Sequence, residues 1–501
     1  MKEQIMKNSN LYPVWIIVVC MILFNPCSAC HVYADGVTII THGWNPSAIG
    51  PVWLQSMRNA VSDNHLGGET KYGIITVTKS GSSLAANCDP CNFDLSSGAG
   101  GEILIILDWS AVANHLTGGP SAQDVAKVII DKIVIGQNGK PPLAELPIHL
   151  IGHSRGGGMI CEIARLLGEK GILVDHLTPL DPHPLTAGDP QPLLTKIIDS
   201  PTAIYENVVF ADVYLQNAED PKGESVSGAY NRVWGAMNGG YYKNGSVYPN
   251  HRNIYLMYQG TADLKNPVSN GEASMDSQER SAWFTAEESG GDQTGFSFSR
   301  IKGTTVRKND GLHANSLSGG NGVRQALLWS EAVWPNIADL QVRKDSSALG
   351  HGRQTIPIGT NLDLRYVSLD YDSSSTVTLH ADADRNPYNN NDLKLLGNPV
   401  QHPVTGKTFI ENTVNWDTSG MTDGTEVCVY AKISDGSRTR YFYAPTLLVF
   451  SKYSLSNVIQ ILRVMAGLSP DISLISDIND DKVVGLEEAV YYLQKIAGLR
   501  N

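Results

Sequence analysis

Apolar residues in the first two thirds of the chain form short continuous runs, each followed by a turn or by a segment of helical spacing. The runs at residues 37–41, 102–107 and 146–151 are of this kind. A strand that is covered on both faces gives such a run, because it has no solvent side. Helical spacing follows at 123–135 and 159–167. The pattern predicts an α/β region with a mostly parallel sheet and helices on both faces, and a final helix near 323–333.

The pattern changes after residue 335, where polar and apolar positions alternate with a period of two. Residues 362–366, 376–380 and 426–431 show this alternation, and turn residues separate them. Alternation of this kind is typical of strands with one buried face. Residues 336–450 are therefore predicted to form an all-β sandwich, whose size and rhythm resemble an immunoglobulin-like module.

The last fifty residues contain an internal repeat, since 455–468 match 486–499 at an offset of 31 residues. A loop that leads into the second copy carries oxygen ligands at positions 1, 3, 5, 7 and 12, which is the spacing of an EF-hand calcium site. The predicted ligands are Asp477, Asn479, Asp481, the Val483 carbonyl and Glu488. Residues 451–501 are thus predicted to form a small helical module that binds Ca²⁺.

The tail resembles a dockerin, although it departs from that pattern twice. Lys482 occupies the loop position where glycine usually makes the sharp turn. The first copy has no loop, because Thr446, Leu448 and Phe450 stand where ligands would be. The resemblance implies a cohesin-like or cell-surface partner, but a single site argues against a standard two-site module.

The N-terminus has the features of a secretory signal. Lys2 and Lys7 precede an apolar run of 11 residues at 14–24, which is too short to span a bilayer. Cleavage is expected after Ala29 or Ala34, so residues 1–34 are the predicted signal and the protein is expected to be secreted. A lipid anchor at Cys30 is the less favoured alternative. No later segment has the continuous apolar length of a transmembrane helix.

Composition narrows the range of partners. The chain has 501 residues, enough for several domains, and a net charge of −12 argues against a nucleic-acid partner. Outside the predicted signal, Cys88 and Cys91 are the only close pair of cysteines, and in an exported protein they are expected to form a small disulfide rather than a zinc site.

The most informative motif is Gly152-His153-Ser154-Arg155-Gly156, directly after the apolar run at 146–151 and before the helical spacing at 159–167. Strand, sharp turn and helix in this order are the context of a nucleophile elbow. The glycines allow strand and helix to pass closely, and the turn presents the Ser154 hydroxyl. The Arg155 N–H then lies at a helix N-terminus, where it could bind an oxyanion.

Three strand ends together, at residues 40–44, 107–110 and 151–154, resemble the pancreatic-lipase type of α/β-hydrolase. The resemblance implies that residues 35–335 form the catalytic domain of a secreted lipase or esterase. It also implies that the turn after His42 and Gly43 supplies a second oxyanion donor, the Trp44 N–H.

The resemblance further implies the other members of a catalytic triad. The strand after the elbow ends in Leu180-Asp181-Pro182, so Asp181 is the expected acid, with Asp212 as the rival at the next strand end. His251 lies in a segment similar to the family's histidine segment and is the expected base, with His313 as the alternative. His176 and His183 lie too near Asp181 in the sequence to occupy a separate loop.

The sequence therefore predicts a serine carboxylic-ester hydrolase with the triad Ser154, Asp181 and His251 and no cofactor for catalysis. An ester or lipid is the expected substrate. Two alternatives stay open: a binding or scaffold protein that has lost turnover, and an amidase or peptidase with the same triad.

Overall fold

A computed structural model describes most of the chain between residues 36 and 496. The described residues are 36–45, 49–64, 70–91, 93, 95, 101–113, 119–189, 197–284, 295–298, 322–328, 333–350, 352–468, 477–478 and 481–496. The predicted signal at 1–34, with Cys30, lies outside them.

Eight strands form one large sheet. They are β1 (Val37–Thr41), β2 (Lys71–Ser80), β3 (Ser83–Asp89), β4 (Ile103–Asp108), β5 (Ile148–His153), β6 (His176–Leu180), β7 (Asp212–Gln216) and β8 (Tyr230–Trp234). Their order is β3-β2-β4-β1-β5-β6-β7-β8. All of them except β3 pair in parallel with their neighbours, whereas β3 forms an antiparallel hairpin with β2. Two short strands, β9 (Val268–Ser269) and β10 (Ser274–Met275), pair separately.

Six helices accompany this sheet within the described residues. They are α1 (Val52–Asn64), α2 (Ser110–Ala113), α3 (Ala122–Val134), α4 (Arg155–Glu169), α5 (Pro249–Ala262) and α6 (Ser277–Trp283). Helix α3 starts at a capping box in which Ser121 and Asp124 satisfy each other's backbone N–H groups. Its buried residues recur at helical spacing, so one stripe of the helix packs on the core.

Two hydrophobic clusters pack against the large sheet. One contains Ile39 of β1 together with Ile129 of α3 and Ile160 of α4. The other contains Ile40 of β1 together with Trp53 of α1 and Ile254 of α5, and all of these side chains are buried. Successive residues of β1 thus enter different clusters, because side chains alternate along a strand. This arrangement fixes α4 and α5 close to the C-terminal end of β5.

The predicted fold class, an α/β-hydrolase with a mostly parallel sheet and helices on both faces, followed by a sandwich and a helical module, was wrong. Strand accounts for 35% and helix for 25% in the described part of the chain, so the fold is β-rich. The large sheet is mixed, because the hairpin β2–β3 adds an antiparallel edge. The prediction overlooked this hairpin since it lacks a continuous apolar run: residues of β3 alternate between exposed and half-buried.

The helix predicted near 323–333 is also not formed in its described part. Residues 323–328 have no regular secondary structure apart from Gln325, which pairs with Tyr205 as an isolated bridge. The Arg324 guanidinium is buried and donates to the Gly228 carbonyl at 3.1 Å. These long-range contacts hold the segment in a non-helical conformation despite its helical spacing of apolar residues.

Residues 336–451 form two further sheets. Their strands are β11 (Asn336–Lys344), β12 (Ser347–Ala348), β13 (Gly352–Pro357), β14 (Asn361–Leu369), β15 (Ser375–Asp382), β16 (Lys394–His402), β17 (Ile410–Asp417), β18 (Glu426–Ser434) and β19 (Thr439–Ser451). The sheets have the orders β12-β11-β14-β17 and β13-β19-β18-β15-β16. Apolar residues from both share one buried cluster, which includes Leu364, Val429 and Phe450. The domain boundaries predicted at 335/336 and 450/451 stay predictions.

This β region is joined to the first region by buried polar contacts. Arg440 of β19 is 3% exposed and donates to the carbonyls of Ala144 at 2.9 Å and Leu146 at 3.1 Å. Asn336 donates to the Gly171 carbonyl at 2.7 Å. A guanidinium buried among carbonyls holds its neighbours in one arrangement, because leaving it unsatisfied is costly.

Two helices make up the described tail, α7 (Leu455–Met465) and α8 (Leu486–Ile496). They pack through Tyr453, Ile461 and Tyr492, which are buried. Ser454 caps α7 by accepting a hydrogen bond from the Asn457 N–H at 3.2 Å. None of the helices in the described ranges is long and apolar enough to cross a membrane.

Candidate active site

Ser154 lies in a strained turn between β5 and α4. Its backbone has φ of 59° and ψ of −127°, a region that residues with a Cβ rarely adopt. The turn is held because the Ser154 N–H donates to the Leu180 carbonyl of β6 at 2.9 Å. A Cβ on Gly152 would lie 2.3 Å from the Gly156 carbonyl oxygen, so only glycine allows strand and helix this close together.

The predicted oxyanion donors lie beside this serine. A Cβ on Gly43 would lie 2.5 Å from the Ser154 Cβ and 2.9 Å from the Arg155 nitrogen, so the Gly43 backbone lies against the turn. Trp44 follows at once and is 40% exposed. Arg155 is the first residue of α4, and its N–H therefore has no acceptor within the helix. Both N–H groups thus belong to backbone next to Ser154.

His42 fixes the peptide that carries the Trp44 N–H. Its Nδ1 lies 2.8 Å from the Gly43 carbonyl oxygen, which only accepts, so Nδ1 carries the proton. The Trp109 N–H donates to Nε2 at 3.3 Å. Since a trans peptide points its C=O and N–H in opposite directions, the Trp44 N–H is directed away from His42.

The Arg155 side chain anchors the other donor. Its Nε and Nη2 donate to the two carboxylate oxygens of Asp199 at 2.7 and 2.8 Å, and the side chains are 1% and 0% exposed. Asp199 also accepts from the N–H groups of Ala122 at 2.8 Å and Leu185 at 2.9 Å. The sequence analysis missed Asp199, and no local signal marks it, because it lies 44 positions from Arg155.

Asp181 and His251 meet through a short hydrogen bond. Asp181 follows β6 with φ of 42°, and His251 lies in the first turn of α5. Their Oδ2 and Nδ1 atoms are 2.5 Å apart, and both side chains are buried. A carboxylate at Nδ1 puts the proton of the neutral imidazole there, which leaves Nε2 as the basic nitrogen.

Burial dominates the electrostatics of this pair. It raises the pKa of Asp181 to about 7, although the N–H donors of Gln216 lower it and favour the carboxylate. Burial also lowers the pKa of His251, and the charges of His183 and Arg252 act in the same direction. Because the two groups share one proton, the pair titrates as a unit. Both effects favour a neutral imidazole as the resting state.

His153 connects the serine turn to His251. Its Nε2 donates to the His251 carbonyl at 3.0 Å, and the two ring centroids are 4.4 Å apart. Its pKa is well below the usual value because of burial and the neighbouring His251. His153 precedes Ser154 directly, so this contact brings the elbow and the start of α5 together. The sequence analysis gave His153 no role, although its place inside the motif could have suggested one.

The rival acid, Asp212, lies in a different network. It accepts from Thr178 at 2.6 Å, from His176 at 2.8 Å and from Tyr214 at 2.9 Å.

Within the described residues, the other histidines weighed as bases bond to groups other than Asp181. His183 bonds through Nδ1 to the Lys222 carbonyl at 2.9 Å. His313 lies outside the described residues, so the structure does not compare it with His251.

The predicted calcium loop is described only in part, because Asn479 lies outside the described residues. Asp477 accepts from the Lys482 N–H at 2.6 Å, and Asp481 accepts from the Val483 N–H at 2.8 Å. Glu488 is 1% exposed and accepts from the Gly485 N–H through Oε2 at 2.7 Å. Over the described ranges, no group of three or more His, Cys, Asp or Glu side chains is placed to hold a metal ion.

The close cysteine pair lies elsewhere in the chain, and Cys88 and Cys91 form a disulfide.

Comparison with known proteins assigns no family. No family model matches the chain, and no curated protein matches it. Among solved structures, the crystal structure of a Niemann-Pick type C2 protein from Japanese carpenter ant is similar at 9% identity, with a TM-score of 0.16, over 24% of this chain and 93% of that chain. A likeness at this level says nothing about function.

The resemblances drawn from the sequence, to the pancreatic-lipase type of α/β-hydrolase, to an immunoglobulin-like module and to a dockerin, were therefore wrong, since no family model or curated relative supports them. The physical reason is the shortness of the motifs. A glycine–serine–glycine turn between strand and helix reflects local backbone geometry, which unrelated chains can share. Any function must be argued from the side chains themselves.

Proposed function

We propose that this protein is a serine hydrolase that cleaves carboxylic esters through an acyl-enzyme. The observation that carries the proposal is the strained Ser154 turn beside a buried His251–Asp181 pair with a 2.5 Å hydrogen bond. A nucleophile, a base with its basic nitrogen left open, and an orienting carboxylate are the parts that acyl transfer requires.

Each residue has one role in the proposed reaction. The Ser154 oxygen attacks the acyl carbon while His251 Nε2 takes the hydroxyl proton, and Asp181 stabilises the imidazolium that forms. The Trp44 and Arg155 N–H groups donate to the oxyanion. His251 then returns the proton to the departing alcohol, which leaves an acyl group on Ser154. Water, deprotonated by His251, attacks this ester and releases the acid.

A fluorophosphonate probe tests the proposal directly, because it phosphonylates only an activated serine. Wild-type protein should be labelled once per chain and should hydrolyse esters from a panel of short and long acyl chains. Ser154→Ala should abolish labelling and lower turnover about 10⁴-fold or more. The exposed Ser83→Ala is the matched control and should behave like wild type.

The same experiment separates the alternatives. A protein that keeps the site but has lost turnover should not be labelled, and that result would refute the proposal. Labelling without ester hydrolysis, but with cleavage of amide substrates, would instead assign an amidase or peptidase. Retention of a tenth of wild-type turnover by Ser154→Ala would exclude Ser154 as the nucleophile.

We further propose that the tail binds one Ca²⁺ through Asp477, Asn479, Asp481, Val483 and Glu488. Two observations support this. Lys482 has φ of 65°, so the loop turns at the position where a calcium loop turns. Glu488 Oε1 is buried with no hydrogen-bond partner within the described part of the chain, and a cation would satisfy it. The ion would hold the loop carboxylates together and has no role in ester hydrolysis.

A further inference from the structure

Gln216, the last residue of β7, has a fully buried side-chain amide. Its hydrogen bonds determine which of the two terminal atoms is the oxygen and which is the nitrogen. Its Oε1 accepts from the N–H groups of Ala218 and Glu219, each at 2.9 Å. Its Nε2 faces three oxygens, the carbonyls of Glu219 at 2.8 Å and Pro221 at 2.9 Å and Asp181 Oδ2 at 3.1 Å. A flipped amide would place oxygen against oxygen, so the network fixes the assignment.

The same residue holds both oxygens of the Asp181 carboxylate. Its backbone N–H donates to Oδ1 at 2.8 Å, while its side chain donates to Oδ2, the oxygen that also accepts from His251. A carboxylate held at both oxygens cannot rotate. The backbone of Gly223 closes the other side, since a Cβ there would lie 2.1 Å from Oδ1.

Gln216 also reaches the helix that carries the base. Its amide holds Ala218 and Glu219 in a turn, and the Glu219 carboxylate accepts from the Asn250 N–H at 2.9 Å. Asn250 directly precedes His251, in the first turn of α5. A carboxylate at a helix N-terminus satisfies a free N–H and interacts favourably with the helix dipole. One side chain thus connects the acid and the start of the base's helix.

We propose that Gln216 is a positioning residue that fixes the distance and angle between Asp181 and His251 by holding the carboxylate directly and α5 through Glu219. The proposal rests on the proposed function for its kinetic consequences. It makes no demand on the substrate, because Gln216 touches only protein groups. Its signature is a loss of turnover without a loss of substrate binding.

Gln216→Met is the main test, because methionine keeps the length of the side chain and removes the amide. We expect kcat to fall about 10- to 100-fold with KM nearly unchanged, as for a catalytic pair displaced by about 1 Å. Gln259→Met is the matched control. Gln259 is also buried and lies on α5, but its amide donates to the Ser269 carbonyl at 3.0 Å and does not contact the Asp181–His251 pair.

The pH dependence of kcat/KM distinguishes the proposed role from a purely structural one, which would not change it. Hydrolysis requires the pair in its deprotonated form, with ionised Asp181 and a neutral imidazole, so activity falls as the pH drops through the pair's pKa. Removing an N–H donor from the carboxylate raises that pKa. The acid limb of kcat/KM should therefore move to higher pH in Gln216→Met and stay in place in Gln259→Met.

A second variant covers the case in which Gln216→Met does not fold. Glu219 is only half-buried, and Glu219→Ala removes the contact to Asn250 while leaving the amide of Gln216 in place. We expect a several-fold fall in kcat in a protein that still folds, with a melting temperature only slightly lowered, because α5 loses one contact at its N-terminus. Unchanged kcat and an unmoved acid limb in either folded variant would overturn the proposal.

Proton NMR distinguishes failure of this proposal from failure of the proposed function. The His251 Nδ1–H should give a far-downfield resonance, because its hydrogen bond to Asp181 is short. The resonance should shift or broaden in Gln216→Met and not in Gln259→Met, whether or not the protein turns over an ester. If wild type is neither labelled nor active but the resonance responds, only the hydrolase assignment fails. A resonance that does not respond overturns the positioning role.

Discussion

The site around Ser154 and the loop at 477–488 are both built from polar side chains, but they are held together in opposite ways. His251 and Asp181 are 70 positions apart, and His153 and His251 are 98 apart. In the loop, Lys482 bonds to Asp477 five positions away, and Gly485 bonds to Glu488 three positions away. The first site is therefore a product of the fold and needs no ligand. The second depends on local hydrogen bonds from backbone N–H groups to carboxylates that repel one another, so its order should depend on a cation.

The largest effect is expected from removing the base of the first site. His251→Ala should lower ester turnover about 10⁴-fold or more, because Ser154 then has no group to take its proton. The double variant with Ser154→Ala should be no worse than either single one, since the pair acts as a unit. Steady-state kinetics on purified, folded protein measures both.

His313→Ala is the control for this assignment. It should stay within a few-fold of wild type, because His313 lies in a segment rich in loop-forming residues, whereas His251 lies in a helix packed by Tyr255 and Tyr258. If the two histidine results come out reversed, His313 is the base. The Asp181–His251 hydrogen bond would then be a structural contact only.

The sequence predicts features that depend on neighbouring residues better than features that depend on distant ones. The turn at Ser154 is visible because strand, glycines and helix are contiguous, and the structure forms it at Ser154. Gln216 and Asp199 are not visible, because their partners lie 35 and 44 positions away and a single glutamine or aspartate carries no periodicity. The segment at 323–328 was mispredicted for a related reason, because its conformation depends on a distant partner, Tyr205. The hairpin β2–β3 pairs locally and was overlooked for another reason, since β3 has no apolar run.

The next largest effect, smaller than the loss of His251, is expected from breaking the buried ion pair between Asp199 and Arg155. Asp199→Asn leaves the buried Arg155 guanidinium without its charged partner, and we expect a loss of about 3–5 kcal/mol in the free energy of unfolding. Ester turnover should fall as well, since the proposed reaction uses the Arg155 N–H as an oxyanion donor. Urea denaturation at neutral pH measures the first effect.

The control for this pair is an ion pair at the surface. Asp63 lies 3.1 Å from Lys265, and the side chains are 63% and 71% exposed. Water and salt screen such a pair, so Asp63→Asn should leave the denaturation midpoint unchanged. An equal loss in both variants would mean that Asp199 acts through something other than its burial with Arg155.

The smallest effect is expected in the tail, where the proposed calcium ion would hold the loop together. Titration calorimetry on the full chain should give one Ca²⁺ per molecule, and chelation should speed hydrogen exchange in α8 while ester turnover survives. At an ion concentration a hundred times the Kd, binding stabilises the tail by about 2.7 kcal/mol. Glu488→Gln should abolish the heat, because it removes the charge of the carboxylate buried at the start of α8 and replaces one of the two oxygens of the bidentate contact that such a loop needs. The neighbouring Glu487 is exposed, and Glu487→Gln is its matched control, which should bind as wild type does. A stoichiometry of two, or no heat from wild type, would refute the calcium site and leave the loop as a purely local turn.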